Sequence, residues 1–508
     1  MLPTSSQLCR WRGVADSNGP VCPFSGDASG SGEKHWHQVM GSKAWAQPGR
    51  PEPRFHRCGR FSCSNLGPSV CHTRTVSGGP QHIALVCWGF PPFRGSGAFR
   101  PLAIANALAA SGAEVSVVTA NREVFLTHYG ADVSLEALVD PRVEILRIPF
   151  FPDRSWPLVN DWSAAEAAAG RAGNTNNDPA HLIFPELVYS DWLPRVSREL
   201  VALNARKPIS LVLGTGAPYI DLEAASQLYL EQGIPLVLDD RDCSIFDVYS
   251  GKQSSLQAKR EVFFRDWIEN CSEMWFVNPP IADRVREIFP QSADKVHVVE
   301  NGWDRSAVDP ARVATQPSER IKAAYVGLVA TKFPLEDVIE AWHRVAESDD
   351  AVEPLRFIGA LGFEVNSPRW QKAAGIIAAA PHSEWRGHVP RADLPEEYAD
   401  LDVLVFVKEG GQFVTGGKPY EYAATGLPIV ALVDEESDAL RVLGNYPRLY
   451  QASPDDPVAA ADALRAAIED RRSDDGAKLH VAQEFGAQLS RAAKLDEAVG
   501  RVLEIAKS

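Results

Sequence analysis

No run of about eighteen apolar residues occurs anywhere in this 508-residue chain, so the sequence offers no helix of membrane-spanning length. The N-terminus also lacks the apolar core of a secretion signal, and the cytoplasm is the expected location. Positive charge is scarce: 51 Lys and Arg stand against 66 Asp and Glu, a net charge of −15. Nucleic-acid partners demand clustered cations along their phosphates, and none is expected here. Membrane association stays open, because net charge can hide a local basic patch. Paired cysteines at metal or disulfide spacing are missing too. Cys58 and Cys63 form half of such a pair with no properly spaced second pair, while Cys87, Cys243 and Cys271 are scattered, as reduced buried thiols usually are.

What is present is ordinary globular composition, 45% hydrophobic and 23% charged, in a chain long enough for two or three domains. Residues 1–78 stand apart. They are rich in Gly, Ser and Pro, show no apolar periodicity, and hold Cys9, Cys22, Cys58, Cys63 and Cys71. Nine Lys/Arg against four Asp/Glu give this stretch +5, which leaves −20 for the remainder. Such a segment cannot build a core and is expected to be a disordered extension; a basic leader peptide is the alternative.

From His82 onward, short apolar runs alternate with helical patterns, which argues for parallel sheets covered by helices. His82–Cys87 is a strand, Ala98–Ser111 a helix and Val115–Thr119 a second strand. Ile209–Gly214 reads as a buried strand, with Asp221 the expected N-cap of the helix that ends at Gly233. A second series starts at Lys322–Gly327, continues through helix Leu335–Glu347 and strand Leu355–Gly359, and ends in a single helix over 478–506.

Two near-matches limit the nucleotide chemistry. Gly95-Ser-Gly97 follows a strand, but Arg100 stands where a dinucleotide-binding turn has its third glycine. Gly410–Leu427, GGQFVTGGKPYEYAATGL, approaches a P-loop, yet Gln412 replaces its first glycine and Pro419 replaces the residue that would hold magnesium. An ATPase is therefore rejected. The same stretch still has the parts of an anion site, because free N–H groups and the helix dipole meet at Thr415–Lys418 and Lys418 adds a full charge. Glu421, one turn further on, is suited to accept hydrogen bonds from a pair of sugar hydroxyls. Solvated charges on a first helical turn remain the alternative reading of Lys418 and Glu421.

Lys418-Pro-Tyr-Glu-Tyr-Ala-Ala-Thr-Gly-Leu-Pro-Ile-Val430 resembles the "K-x-x-E-Y-x-A-x-G-x-P-[IV]-[IV]" donor motif of family 4 glycosyltransferases. The resemblance implies an α/β protein of the GT-B fold, two Rossmann-like β/α/β domains facing across a cleft. It assigns residues 79–305 to the acceptor side, 306–480 to the nucleotide-sugar side, and 481–508 to a helix packing back across the junction. Phe90-Pro-Pro-Phe-Arg-Gly-Ser-Gly97 is similar to the family's "F-P-P-x-x-G-G" loop, which faces the donor diphosphate. Phe184–Pro194, Pro235–Asp242 and Asn301–Asp304 are looser matches, to "P-D-x-x-x-x-W-L-P", "P-x-V-x-D-x-R-D" and "N-G-x-D".

The implied donor-binding residues are Gly95, Gly97, Thr415, Gly416, Gly417, Lys418 and Glu421, with Lys332, Lys418 and Asp242 as catalytic candidates and Arg241 and Asp242 on the acceptor side. Departures from the family pattern are Leu328, where an arginine usually accompanies the lysine, and Ile220–Glu223, which lacks an expected histidine. His388 and Arg391 lie in a turn resembling "G-x-V-x-x-x-x-L-x-x-x-Y", and neither side chain is given a role. The implied reaction moves a sugar from a nucleotide-diphosphate sugar to a hydroxyl of a glycan, lipid-linked or small-molecule acceptor, with retention. No metal and no cofactor beyond the donor are expected. A nucleotide-sugar epimerase of the same fold and a non-catalytic nucleotide-sugar-binding partner are the rivals.

Overall fold

Every residue of β1 (His82–Val86) is buried, as a parallel strand covered on both faces requires. The computed structural model describes residues 79–151, 189, 192–329, 333–361, 368–407 and 411–508. The expectations for residues 1–78, for Lys332 and for most of the Phe184–Pro194 match fall outside these residues. After β1 come α1 (Phe99–Ala110), β2 (Glu114–Ala120), β3 (Glu144–Ile148), α2 (Leu193–Arg206), β4 (Leu211–Gly216) and α3 (Ile220–Gln232). β5 (Leu236–Asp240), α4 (Ser255–Asn270), β6 (Glu273–Phe276), α5 (Pro279–Ile288) and β7 (Val296–Val298) complete the first series. The sheet order is β3-β2-β1-β4-β5-β6-β7 and every adjacent pair is parallel.

The second series runs β8 (Ala323–Val326), α6 (Leu335–Ala346), β9 (Leu355–Ile358), α7 (Pro368–Ala379), β10 (Ser383–Gly387), α8 (Leu394–Ala399) and β11 (Val403–Val407). It continues through α9 (Lys418–Thr425), β12 (Ile429–Leu432), α10 (Asp438–Leu443), β13 (Leu449–Ala452) and α11 (Pro457–Arg472). Its sheet order is β10-β9-β8-β11-β12-β13, again all parallel. Two apolar clusters cover the faces of each sheet, and each fully buried Val, Leu or Ile in them contributes about 1.5–3 kcal/mol.

Strand order reverses between β1 and β4 and again between β8 and β11. Loops leaving the carboxyl ends of strands at such a reversal splay apart and form the usual ligand crevice of open α/β sheets. The loops after β1 and β11 carry Gly95, Gly97 and Thr415–Gly417 of the residues singled out from the sequence, and Arg241 and Asp242 follow β5.

The helix expected over 478–506 is two helices, α12 (Ala477–Ala487) and α13 (Arg491–Ile505). The break accommodates the Asn301–Asp304 turn: Trp303 donates to Leu489 and accepts from Arg491 through the backbone, and its indole N–H reaches the Gly486 carbonyl at 2.7 Å. A Cβ on Gly302 would lie 2.5 Å from Arg491 Cα, so the approach needs glycine there. Ser490 then caps α13, and Leu495, Val499 and Val502 join Leu102, Ala105 and Leu108 of α1 in one cluster. Among the described residues no helix is long and apolar enough to cross a membrane.

Candidate donor and acceptor site

α9 begins directly after Gly417 with Pro419 in its first turn, and no side chain caps its N-terminus. Gly426, at φ +80°, ends the helix in the left-handed conformation that glycine adopts without strain. A Cβ on Gly416 or Gly417 would meet no described atom within 4 Å, so the backbone at the positive end of the helix dipole is accessible. The Lys418 ammonium is bound to the hydroxyl of Tyr325 and lies 4.4 Å from its ring centroid. Tyr325 in turn donates to the Leu328 carbonyl at 2.6 Å. The lysine stem crosses Gly327, where a Cβ would come within 2.0 Å of Lys418 Cε. Lys418 is thus held at the strand-order reversal beside the open end of α9.

Glu421 is not a solvated surface carboxylate. Its side chain is 16% exposed and accepts from Arg391 Nη1 at 2.9 Å and from the Tyr398 hydroxyl at 3.2 Å. Burial, reinforced by the adjacent Glu421 charge, raises the Tyr398 pKa well above its ordinary value, so this phenol stays protonated and donates. Arg391 is itself buried. It reaches Ser306 Oγ through Nε at 3.4 Å, stacks 4.3 Å from the Phe99 ring of α1, and has its backbone N–H accepted by Asp132 at 3.0 Å. Neighbouring His388 is exposed, and partial desolvation, with Arg94 nearby, lowers its pKa. Sequence reasoning gave Arg391 no role; its place in the motif turn was the available signal, whereas Asp132 and Phe99 carried none.

On the first sheet, Gly89 and Gly95 make room for one aromatic ring. A Cβ on either would come within 2.7 or 2.3 Å of Phe93, which stacks on Phe125 and meets Trp88 edge-on. Gly97 offers its carbonyl to Arg241 Nη1 at 3.2 Å. Arg241 also binds the carbonyls of Gly216 and Ala217, the latter at 3.0 Å from Nη2, so its fork ties the loop after β1 to the loop after β4. Asp242 is exposed and makes no hydrogen bond to a described residue. The helix expected to be capped by Asp221 starts two residues earlier, with Tyr219 as N-cap, and Asp221 instead accepts the Trp88 N–H at 2.7 Å. Arg100, the residue in place of the third glycine, forms a buried bidentate pair with Asp239, both bonds 2.8 Å. That use is structural: it fixes the start of α1 against β5.

Thr415 is buried, and its environment is set by both sheets. Its hydroxyl accepts from Asn278 Nδ2 at 2.8 Å and donates to Asp438, while its carbonyl accepts from Asn301 Nδ2 at 3.0 Å. Asp438 continues through Arg441 to Glu300, which also accepts from Lys494 at 2.6 Å. Lys418, Glu421 and the Thr415–Gly417 loop therefore come together, and Arg241, Gly95 and Gly97 come together on the first sheet.

Two seven- and six-stranded parallel sheets with helix layers and paired reversal loops can be compared with known folds. A crystal structure of a glycosyltransferase from Rickettsia africae superposes with a TM-score of 0.57 at 12% identity, covering 84% of this chain and 98% of that one. The fold is GT-B. Sucrose-phosphate synthase from Thermosynechococcus elongatus superposes with a TM-score of 0.55 at 13% identity, covering 84% of this chain and 99% of that one. Anabaena HepE, solved in complex with UDP and glucose, gives the same TM-score, identity and coverage. Within this GT-B chain, residues 320–470 match the family model described as glycosyl transferases group 1. No curated protein matches by sequence.

Proposed function

We propose that this protein is a glycosyltransferase that moves a sugar from a nucleotide-diphosphate sugar to a hydroxyl acceptor with retained anomeric configuration, as in family 4. In this reading residues 306–480 bind the donor, residues 79–305 receive the acceptor, and residues 481–508 tie the two together. The observation that carries it is the convergence of Lys418, the uncapped start of α9 and Glu421 inside the stretch matching the glycosyltransferase model. HepE, of the same fold, has been solved with UDP-glucose, which makes uridine diphosphate sugars the first donors to test.

The chemistry follows from charge. As the glycosidic bond breaks, negative charge grows on the departing diphosphate, and fixed N–H dipoles and a cation stabilise it without reorganising. Gly416, Gly417 and Lys418 supply that field. A carboxylate has about four lone-pair sites, and Arg391 and Tyr398 take two of those on Glu421. The remaining capacity suits two vicinal ribose hydroxyls. Lys332 would add charge beside the phosphates, and Asp242, exposed at the carboxyl end of β5, is available to an acceptor hydroxyl. The reading uses no metal and no cofactor besides the donor.

A thermal-shift screen of nucleotide sugars tests the donor assignment, since a ligand at a hundred times its Kd adds about 2.7 kcal/mol. Product analysis with acceptors then separates transfer from epimerisation or from binding alone. Absence of a shift with every nucleotide sugar would count against the whole assignment.

A further inference from the structure

The loop that would cradle the diphosphate follows a strand of the second sheet, yet much of its scaffolding comes from the first. The Phe413 ring packs with the cluster around the first sheet, edge-to-face with Phe246 at 5.1 Å between centroids. Gly251, at φ +65°, makes the seat: a Cβ there would stand 3.1 Å from Phe413 Cε2. Two residues beyond Phe413, Thr415 meets Asn278, which is fully buried and uses both ends of its amide. Oδ1 accepts the Ile281 N–H at 3.0 Å and caps α5, while Nδ2 donates to Thr415 Oγ1 at 2.8 Å and to the Gln412 carbonyl at 3.4 Å. Asn301 holds the Thr415 carbonyl from the same side.

Resting on the donor assignment above, we propose that Asn278 and Phe413 are positioning residues for the diphosphate: they clamp the 411–417 loop to the first sheet so that the N–H groups of Gly416 and Gly417 face the ligand. Neither side chain touches the donor. They act on it through the backbone they hold, and three pinned points on one short loop remove the freedom that its glycines would otherwise keep. Phosphate affinity therefore depends on the contacts that Asn278 and Phe413 make between the loop and the first sheet, whereas Glu421, on α9, is oriented by a separate contact, Arg391 against Phe99, in which neither residue takes part.

This separates two measurable quantities. Asn278→Asp keeps the acceptor that caps α5 but replaces the amide donor with a carboxylate facing two acceptors, and Phe413→Ala removes the ring. Full-length wild type and both variants are titrated by calorimetry with UDP, ADP and GDP and with uridine, adenosine and guanosine, and their melting temperatures are recorded. For the base that binds wild type, the affinity ratio of nucleoside diphosphate to nucleoside should fall about tenfold in each variant. Phe413→Leu should restore most of it, and the nucleoside alone should bind as to wild type. Glu421→Ala should do the reverse, weakening nucleoside and diphosphate alike and leaving their ratio intact. An unchanged ratio in both clamp variants, with or without a lower melting temperature, overturns the inference while leaving the donor site standing. Failure of every nucleotide to bind wild type overturns the donor assignment and this inference with it.

Discussion

Arg391 donates to Glu421 at 2.9 Å while its guanidinium lies 4.3 Å from the ring of Phe99, so the carboxylate assigned to the donor ribose is oriented by a cation resting on the other sheet's first helix. The same arginine has its backbone N–H accepted by Asp132. Glu421 is consequently both a ligand candidate and one member of a buried charge pair.

Removing that carboxylate should have two effects. Glu421→Ala should weaken donor binding tenfold to a hundredfold, because charge-assisted hydrogen bonds are worth about 1.5–3 kcal/mol. It should also destabilise the fold by about 1–3 kcal/mol, since Arg391 would stay buried with one partner fewer. Glu421→Gln should recover part of the stability and little of the binding. Calorimetric titration beside chemical denaturation checks both; normal donor affinity in the folded Ala variant would make the residue purely structural.

Lys418→Met keeps most of the stem that crosses Gly327 and removes the charge. Donor affinity should drop about tenfold at low salt and the gap to wild type should narrow as salt rises, because screening weakens the wild-type contact. Melting temperature should move little. A salt-independent difference would place the ammonium away from the phosphates.

Arg241 binds three carbonyls from two loops through a planar fork that lysine cannot reproduce. Arg241→Lys should therefore lower the transfer rate and raise the KM for acceptor several-fold, with donor Kd unchanged. Equal losses in donor and acceptor binding would mean that the two loops contribute to both substrates.

Asp240 is fully buried at the end of β5, where desolvation, with lesser help from Asp242 and Asp239, pushes its pKa up to about 7 from 3.8. Between those two values the folded chain keeps a proton that the unfolded chain has lost. Stability contributed by this group is thus fully present below about pH 4 and is lost as pH rises toward 7, at up to about 1.4 kcal/mol per unit. Asp240→Asn cannot ionise, so the variant should gain on wild type as the buffer is taken from pH 5 to pH 8. Parallel denaturation curves across that range would show that Asp240 is ionised when folded.

Much of this architecture was legible before any coordinates. Apolar runs of four to seven residues, separated by helices with glycine stops at Gly233 and Gly426, specify parallel sheets because each such strand must be buried on both faces. The glycine loop entering α9, with Lys418 and Glu421 one turn apart, is likewise local, since helix dipole and spacing are set by neighbouring residues. What the sequence left undecided depends on contacts between residues far apart in the chain. Arg391 reads as a loop cation until Phe99 and Asp132, about 290 and 259 positions away, cover it. The 478–506 helix reads as continuous until Trp303 enters the break at Ser490. Arg241 reads as free to meet an acceptor until three carbonyls brought in by folding take three of its five N–H donors. Local periodicity fixes which elements form, because it reports the burial of each segment on its own; which polar groups meet is decided only when packing brings separate segments into one low-dielectric interior and every buried donor must find its acceptor.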